Sequence, residues 1–107
     1  MEITFASKEI RKICNSAAEA ESALGIGIAN SLRRILADLR ATRFLSEFAL
    51  LYSLEVTSET VQLTIGKGAS LTLSIAHRLI PQHEGKVDAG RVHRVMVVAL
   101  RGEGQSE

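Results

Sequence analysis

The sequence predicts an α+β protein with a short N-terminal strand, two antiparallel helices, and then an antiparallel sheet of three further strands. Two observations indicate this class: apolar residues recur at helical spacing over residues 28–40 and at every second position over residues 61–75. The chain has 107 residues, of which 46% are hydrophobic, so it fits one domain with an aliphatic core. We assign residues 1–101 to that domain and residues 102–107 to a polar tail.

The N-terminal third predicts a strand and two helices. Ile3 and Phe5 alternate with polar residues, as in a short strand. Ser7 is a suitable N-cap for a helix from Lys8 to about Ser22, whose apolar stripe contains Ile10, Ile13, Cys14 and Ala17. Gly25 and Gly27 interrupt the pattern. A second helix is predicted from about Ile28 to Arg40, and the short break makes the two helices antiparallel neighbours.

The remaining elements follow from a change of period. Residues 43–55 fit either a third short helix or an apolar connecting segment, and we expect a mixture. Residues 61–65 and 71–76 alternate around Gly66-Lys67-Gly68 and predict a hairpin, which Pro81 ends. A polar loop is expected over residues 82–90. Residues 92–100 are apolar at successive positions, which predicts a central strand covered on both faces.

Charge and composition exclude several classes of function. The net charge is only +1, but residues 60–101 contain six basic and two acidic residues, which favours a local anionic partner. Cys14 is the only cysteine, so no internal disulfide or cysteine-based zinc site is possible. The chain has no signal-peptide pattern and no apolar run long enough to span a bilayer, so we expect a cytoplasmic protein without a membrane partner.

Motifs for a metal or a cofactor are lacking. His77, His83 and His93 do not have the spacing of a helical metal pair, and Gly66-Lys67-Gly68 is too short for a phosphate-binding loop. We therefore expect no metal and no cofactor.

Four stretches in order resemble the RelE/ParE superfamily of bacterial toxins, and within it the HigB-like "killer protein" group. They are residues 1–15, residues 29–41, residues 74–80, and residues 85–88 followed by 91–95. The second of these is similar to the second helix of the group. The third is similar to a strand that usually reads Leu-Ser-x-x-Tyr-Arg-Leu-Ile-Phe, which places Arg78 at the Arg of the motif and His77 at the Tyr.

The resemblance implies the toxin of a type II toxin–antitoxin system. Its expected partners are a cognate antitoxin, the ribosome and mRNA, and its usual activity is metal-independent, ribosome-dependent cleavage of messages. Three departures leave enzymatic activity open. His77 replaces the tyrosine, and the Gly-Asp-Arg/Lys turn before the hairpin's second strand is reduced to Gly66-Lys67-Gly68. The terminal aromatic and histidine are replaced by Leu100-Arg-Gly-Glu-Gly104. The alternatives are a non-catalytic interaction module of the same fold, or a member of the branch that poisons DNA gyrase.

Arg78 and His77 are the candidate catalytic residues. Arginine can neutralise the charge that develops on a phosphate, and imidazole can take or give a proton near neutral pH. Neighbouring residues of a strand point to opposite faces, so both could reach one substrate only at an irregularity, and either could instead have a structural role.

The candidate RNA-binding residues fall into three groups. Arg91, His93 and Arg94 lie at the start of the last strand and could bind phosphate or the antitoxin. Lys67 lies on the hairpin turn, and Arg33 and Arg40 share one face of the second helix. Each group is equally compatible with an ordinary solvated surface.

Overall fold

The computed structural model describes residues 1–101, which form an α+β fold built on a five-stranded mixed sheet. The helices are α1 (Lys8–Asn15), α2 (Ala17–Leu24), α3 (Ile26–Ala41) and α4 (Leu45–Phe48), with a 3-10 turn at Ala89–Arg91. The strands are β1 (Glu2–Phe5), β2 (Glu55–Val56), β3 (Thr60–Gly66), β4 (Ala69–Ile75), β5 (Gln82–His83), β6 (Lys86–Val87) and β7 (Arg94–Arg101). The predicted polar tail, residues 102–107, lies outside the described residues.

The sheet has the order β1-β7-β4-β3-β2, with β1 parallel to β7 and the other neighbours antiparallel. The α+β class and the hairpin of β3 and β4 are therefore confirmed, and β7 is a central strand as predicted. The later strands β3, β4 and β7 are antiparallel as expected, but the sheet as a whole is mixed, because the first strand joins the last strand in parallel. A separate two-stranded ribbon, β5 and β6, occupies part of the predicted polar loop.

The helices cover one face of the sheet. Alternate residues of β3, β4 and β7 are buried there, and helix α3 packs on them with Leu32, Ile35, Leu36 and Leu39. Burial of these aliphatic side chains is the main source of stability. None of the helices within residues 1–101 combines the length and apolar character that crossing a bilayer requires.

The other face of the sheet is polar. It presents hydroxyl-bearing residues of β1, β3 and β4, none of them buried: Thr4, Thr60, Thr64, Ser70, Thr72 and Ser74. The prediction that the last strand is covered on both faces is therefore wrong. Its outward residues Met96 and Val98 are only half-buried, and Val98 lies at an irregularity in the register between β4 and β7.

The first predicted helix is in fact two helices. Ser16 has extended backbone angles (φ −127°, ψ 119°), and its hydroxyl accepts a hydrogen bond of 3.3 Å from the backbone N–H of Glu19. A serine that caps a helix competes with continuation of the preceding helix, which explains the break. The second predicted helix is confirmed as α3, which begins two residues earlier than expected and ends one residue later.

Residues 43–55 are the expected mixture of a short helix and a connecting segment. The carboxylate of Glu47 accepts hydrogen bonds from the backbone N–H groups of Arg43 (2.6 Å) and Phe44 (3.3 Å), which holds the start of α4 and lowers the pKa of Glu47. After the helix, the ring of Tyr52 lies 4.9 Å from that of Phe48, and its hydroxyl donates to Asp38 of α3. This contact ties the connecting segment to the longest helix.

The cap at Ser16 can be tested by replacement. Ser16→Ala should lower the free energy of unfolding by about 1 kcal/mol, because the N–H of Glu19 loses its acceptor. Urea denaturation followed by circular dichroism would measure the change. Ser22→Ala, at an exposed position inside α2, is the matched control and should be neutral or slightly stabilising. Equal effects of the two variants would contradict the assignment of Ser16 as a cap.

The contact between Tyr52 and Asp38 gives a second stability prediction. Tyr52→Phe should cost about 1–2 kcal/mol, because the acceptor is a carboxylate and the contact is part-buried. A double-mutant cycle with Asp38→Ala, measured by urea denaturation, would isolate the pairwise energy. Strictly additive effects of the two substitutions would show that the hydroxyl and the carboxylate do not interact.

Candidate functional site

Three of the predicted site residues come together at one end of the sheet. His77 follows the end of β4 by two residues, His93 immediately precedes β7, and Arg94 is the first residue of β7. Because β4 and β7 are antiparallel neighbours, the end of one strand lies beside the start of the other. We call His77, His93 and Arg94 the histidine cluster.

The two imidazoles of the cluster are in direct contact. Their ring centroids lie 4.5 Å apart with an interplanar angle of 74°, an edge-to-face arrangement. The backbone N–H of His93 donates a hydrogen bond of 3.1 Å to Nε2 of His77. An imidazole nitrogen that accepts is unprotonated, so neutral His77 must carry its proton on Nδ1.

The surroundings favour the neutral form of His77. Burial, followed by the proximity of His93 and Arg94, lowers the pKa of His77 from its ordinary value of 6.5. The side chain of His93 is exposed, and its carbonyl accepts a hydrogen bond of 2.9 Å from the N–H of Glu2. The cluster therefore contains one half-buried imidazole that is already an acceptor, and one imidazole that faces solvent.

Arg94 is paired with a carboxylate. Its Nε and Nη2 atoms each lie 3.1 Å from Oε1 of Glu2, the neighbouring residue on β1. The two side chains are 48% and 58% exposed, so the pair is weak and an anionic ligand could displace the carboxylate. This partner could not be predicted from the sequence, because 92 positions separate the two residues and only the parallel pairing of β1 with β7 brings them together.

Arg78 lies next to the cluster in an irregular segment. Strand β4 ends at Ile75, so the prediction that residues 74–80 form a strand is wrong from residue 76 onward. Because His77 and Arg78 lie outside the strand, their side chains need not point to opposite faces, and both could reach one substrate. Within residues 1–101 the exposed side chain of Arg78 has no hydrogen bond or ion pair, and Leu79 beside it is 86% exposed.

Arg91 belongs to the same end of the sheet. It lies in the 3-10 turn just before His93, and its side chain is exposed. Asp88 caps this turn by accepting from the N–H of Gly90 at 3.1 Å. A short, capped turn therefore brings a third arginine to within a few residues of the cluster.

The other predicted RNA-binding residues lie elsewhere. Lys67 is on the turn between β3 and β4, at the opposite end of the sheet, about 25 Å away along the strands. Arg33 and Arg40 are exposed on α3, which covers the other face of the sheet from Arg94. Arg40 donates to Oδ1 of Asn15 at 3.3 Å. The structure thus divides the predicted basic residues into separate surfaces.

Within residues 1–101, no three histidine, cysteine, aspartate or glutamate side chains are grouped as a metal site requires. His83, the third histidine, lies on β5, where it pairs with Glu84 at 3.4 Å in an exposed position. Comparison of the chain with protein-family models, with curated proteins and with solved structures finds no match.

Cys14 does not contribute to this chemistry. It is buried in the core, and burial, partly opposed by Arg40, raises its pKa to about 11. At pH 8 the thiolate fraction should be about 100-fold lower than that of a thiol with pKa 9. The rate of alkylation by iodoacetamide, followed by mass spectrometry, should accordingly be at least about 100-fold lower in the folded chain than in urea. Equal rates in the two conditions would contradict the burial of this thiol.

Proposed function

We propose that this chain is the toxin of a type II toxin–antitoxin system, with a RelE/ParE-like fold of the HigB-like group, and that it cleaves mRNA on the ribosome. The observation that supports it most is the histidine cluster, with Arg78 and Arg91 beside it. Two imidazoles and three arginines at one sheet end form a site suited to a phosphodiester. The proposed partners are a cognate antitoxin, the ribosome and mRNA, and the proposed location is the cytoplasm.

The arrangement of elements also supports the proposal. The resemblance implies a short first strand, a helical layer, and a sheet with a hairpin and a last strand. The chain has each of these in that order, and its helices lie on one face of the sheet. Extra elements, such as the break at Ser16 and the ribbon of β5 and β6, leave this order unchanged.

The proposed chemistry is an internal transesterification of RNA. The ribose O2′ loses its proton and attacks phosphorus, the P–O5′ bond breaks, and O5′ takes up a proton. The products are a 2′,3′-cyclic phosphate and a 5′-hydroxyl, so no metal or co-reactant is consumed. Imidazoles can exchange the two protons, and Arg78 and Arg94 can neutralise charge on the phosphate. His77 would act through Nδ1, since its Nε2 already accepts from His93.

A second candidate is a non-catalytic interaction module of the same fold. Two observations favour it: Nε2 of His77 is occupied by a backbone hydrogen bond, and Arg94 is paired with Glu2. His77 and Arg94 then stabilise the junction of β1, β4 and β7. Of the two predicted catalytic residues, His77 and Arg78, only Arg78 has an unpaired side chain within residues 1–101. The absence of the terminal aromatic and histidine of the group points in the same direction.

Induction in bacteria tests these candidates. If the chain is a nuclease, inducing it without an antitoxin should arrest growth and produce messages with new 5′ ends, detected by primer extension. Arg78→Ala should slow cleavage by about 100-fold, the cost of losing one group that stabilises the transition state. Arg11→Ala, which removes an exposed arginine of α1, is the matched control and should arrest growth as the unsubstituted chain does.

The other outcomes are equally informative. Normal growth in cells that contain folded, soluble protein would exclude the nuclease and support the non-catalytic module. Growth arrest with intact messages and stalled DNA replication would instead assign the chain to the branch that poisons gyrase.

A further inference from the structure

The segment between β4 and β5, residues 76–81, is fastened to the rest of the fold at three points. At its start the N–H of Ala76 donates to the carbonyl of Arg94 at 3.0 Å, and at its end the carbonyl of Pro81 accepts from the N–H of Asp88 at 2.8 Å. Between these anchors, within the described chain, residues 77–80 form one hydrogen bond to another element, from His93 to His77. Ile80 also packs against the core.

We propose that His77 is a pH-sensitive latch, which fastens the segment carrying Arg78 to the start of β7 when neutral and releases it when protonated. The proposal assigns to Nε2 of His77 a positioning role, distinct from the proton transfer through Nδ1 proposed above. Its importance for regulation rests on the proposed function, since Arg78 is the residue whose placement the latch controls.

The latch depends on the direction of its hydrogen bond. Nε2 of His77 accepts from a backbone N–H, and a protonated imidazole has donors on both nitrogens and no acceptor. Protonation therefore removes this hydrogen bond and leaves two N–H groups facing each other. The edge-to-face contact with the ring of His93, at a centroid distance of 4.5 Å, would then bring a cation against a second titratable ring.

The charged groups around His77 oppose its protonation. At the start of β7 these are His93 and Arg94, whose proximity lowers the pKa of His77 in addition to the larger effect of burial. Glu2 on β1 is the nearby carboxylate, but it is already paired with Arg94. On its own segment the neighbouring charged residue is Arg78, which is also basic. Glu59 is an exposed carboxylate opposite Ile75 at this end of the sheet, but within residues 1–101 no carboxylate forms an ion pair with His77.

The sign of the pH dependence follows from this shift. A histidine whose pKa is lower in the folded chain than its ordinary value of 6.5 takes up a proton more readily when the chain is unfolded or the latch is open. The latch is therefore fully closed above about pH 6.5 and opens as the pH falls through the lower pKa of the folded state. Release would free Arg78 and the exposed Leu79, while Ala76 and Pro81 stay anchored.

Nuclear magnetic resonance on the full chain, without RNA, tests the latch. Between pH 7.5 and 5.0 the amide proton of His93 should lose protection, with exchange, corrected for its intrinsic pH dependence, about fivefold faster once His77 is protonated. The ring signals of His77 should titrate below its ordinary pKa of 6.5. His77→Phe keeps an aromatic ring but has no acceptor, so its His93 amide should exchange quickly at every pH.

Two further variants complete the design. His77→Gln has no group that titrates in this range, and it should abolish the pH dependence of the His93 amide. His83→Gln is the matched control and should leave the response intact. A His93 amide whose protection does not change as His77 titrates would overturn the proposal, as would loss of the response in His83→Gln. Because no step measures RNA cleavage, a working latch in a chain that does not cut messages would reject only the nuclease.

Discussion

The parallel pairing of β1 with β7 is the constraint on which the candidate site depends. It inserts the last strand between the first strand and β4, so that β7 is hydrogen-bonded on both sides. The starts of β1 and β7 and the end of β4 then meet at one end of the sheet. This pairing makes Glu2 a neighbour of Arg94, and the antiparallel pairing of β4 with β7 brings His77 to the same place.

The same pairing sets the electrostatic character of the site. Arg94 points away from the helical layer, on the face where Glu2 is its neighbour, and the carboxylate compensates the guanidinium. Burial, followed by the proximity of His93 and Arg94, lowers the pKa of His77 and so favours its neutral form. The cluster is thus less basic than its composition suggests, and the exposed arginines at residues 78 and 91 are its uncompensated charges. A polyanion would first meet these two side chains and could then compete with Glu2 for Arg94.

The predictions from sequence were correct for elements whose hydrophobic periodicity is regular along their whole length. Helix α3 and the hairpin of β3 and β4 bury a regular stripe, so their periodicity directly reports the structure. The break at Ser16 was missed because a serine fits a helix interior as well as a cap, and the local pattern on either side continues. The end of β4 was misplaced because Pro81 is the first strong strand breaker after Ile75, although the chain leaves the sheet before it.

The site was only partly predictable for a related reason. His77, His93 and Arg94 could be predicted as site residues from their chemistry. The contact between the two histidine rings, however, joins residues 16 positions apart and depends on the register of β4 against β7. The pairing of Glu2 with Arg94 depends on register over 92 positions. No local sequence pattern predicts contacts between residues so far apart in the chain, since these contacts result from how the whole core packs. Lys67, Arg33 and Arg40 share the right chemistry, yet the topology places them on other surfaces.

This dependence on distant pairing couples the site to complete folding. Contacts between residues far apart in sequence carry the largest cost in chain entropy, so they form only when the surrounding core repays that cost. The strands β3 and β4 and the helices can be organised by shorter-range contacts, but they contain no complete cluster. Only the docking of β7 between β1 and β4 brings His93 to His77 and Arg94 to Glu2. Any chemistry at this end of the sheet therefore requires the fully folded chain. A substitution that weakens the pairing of β1, β4 and β7 would disturb the site directly.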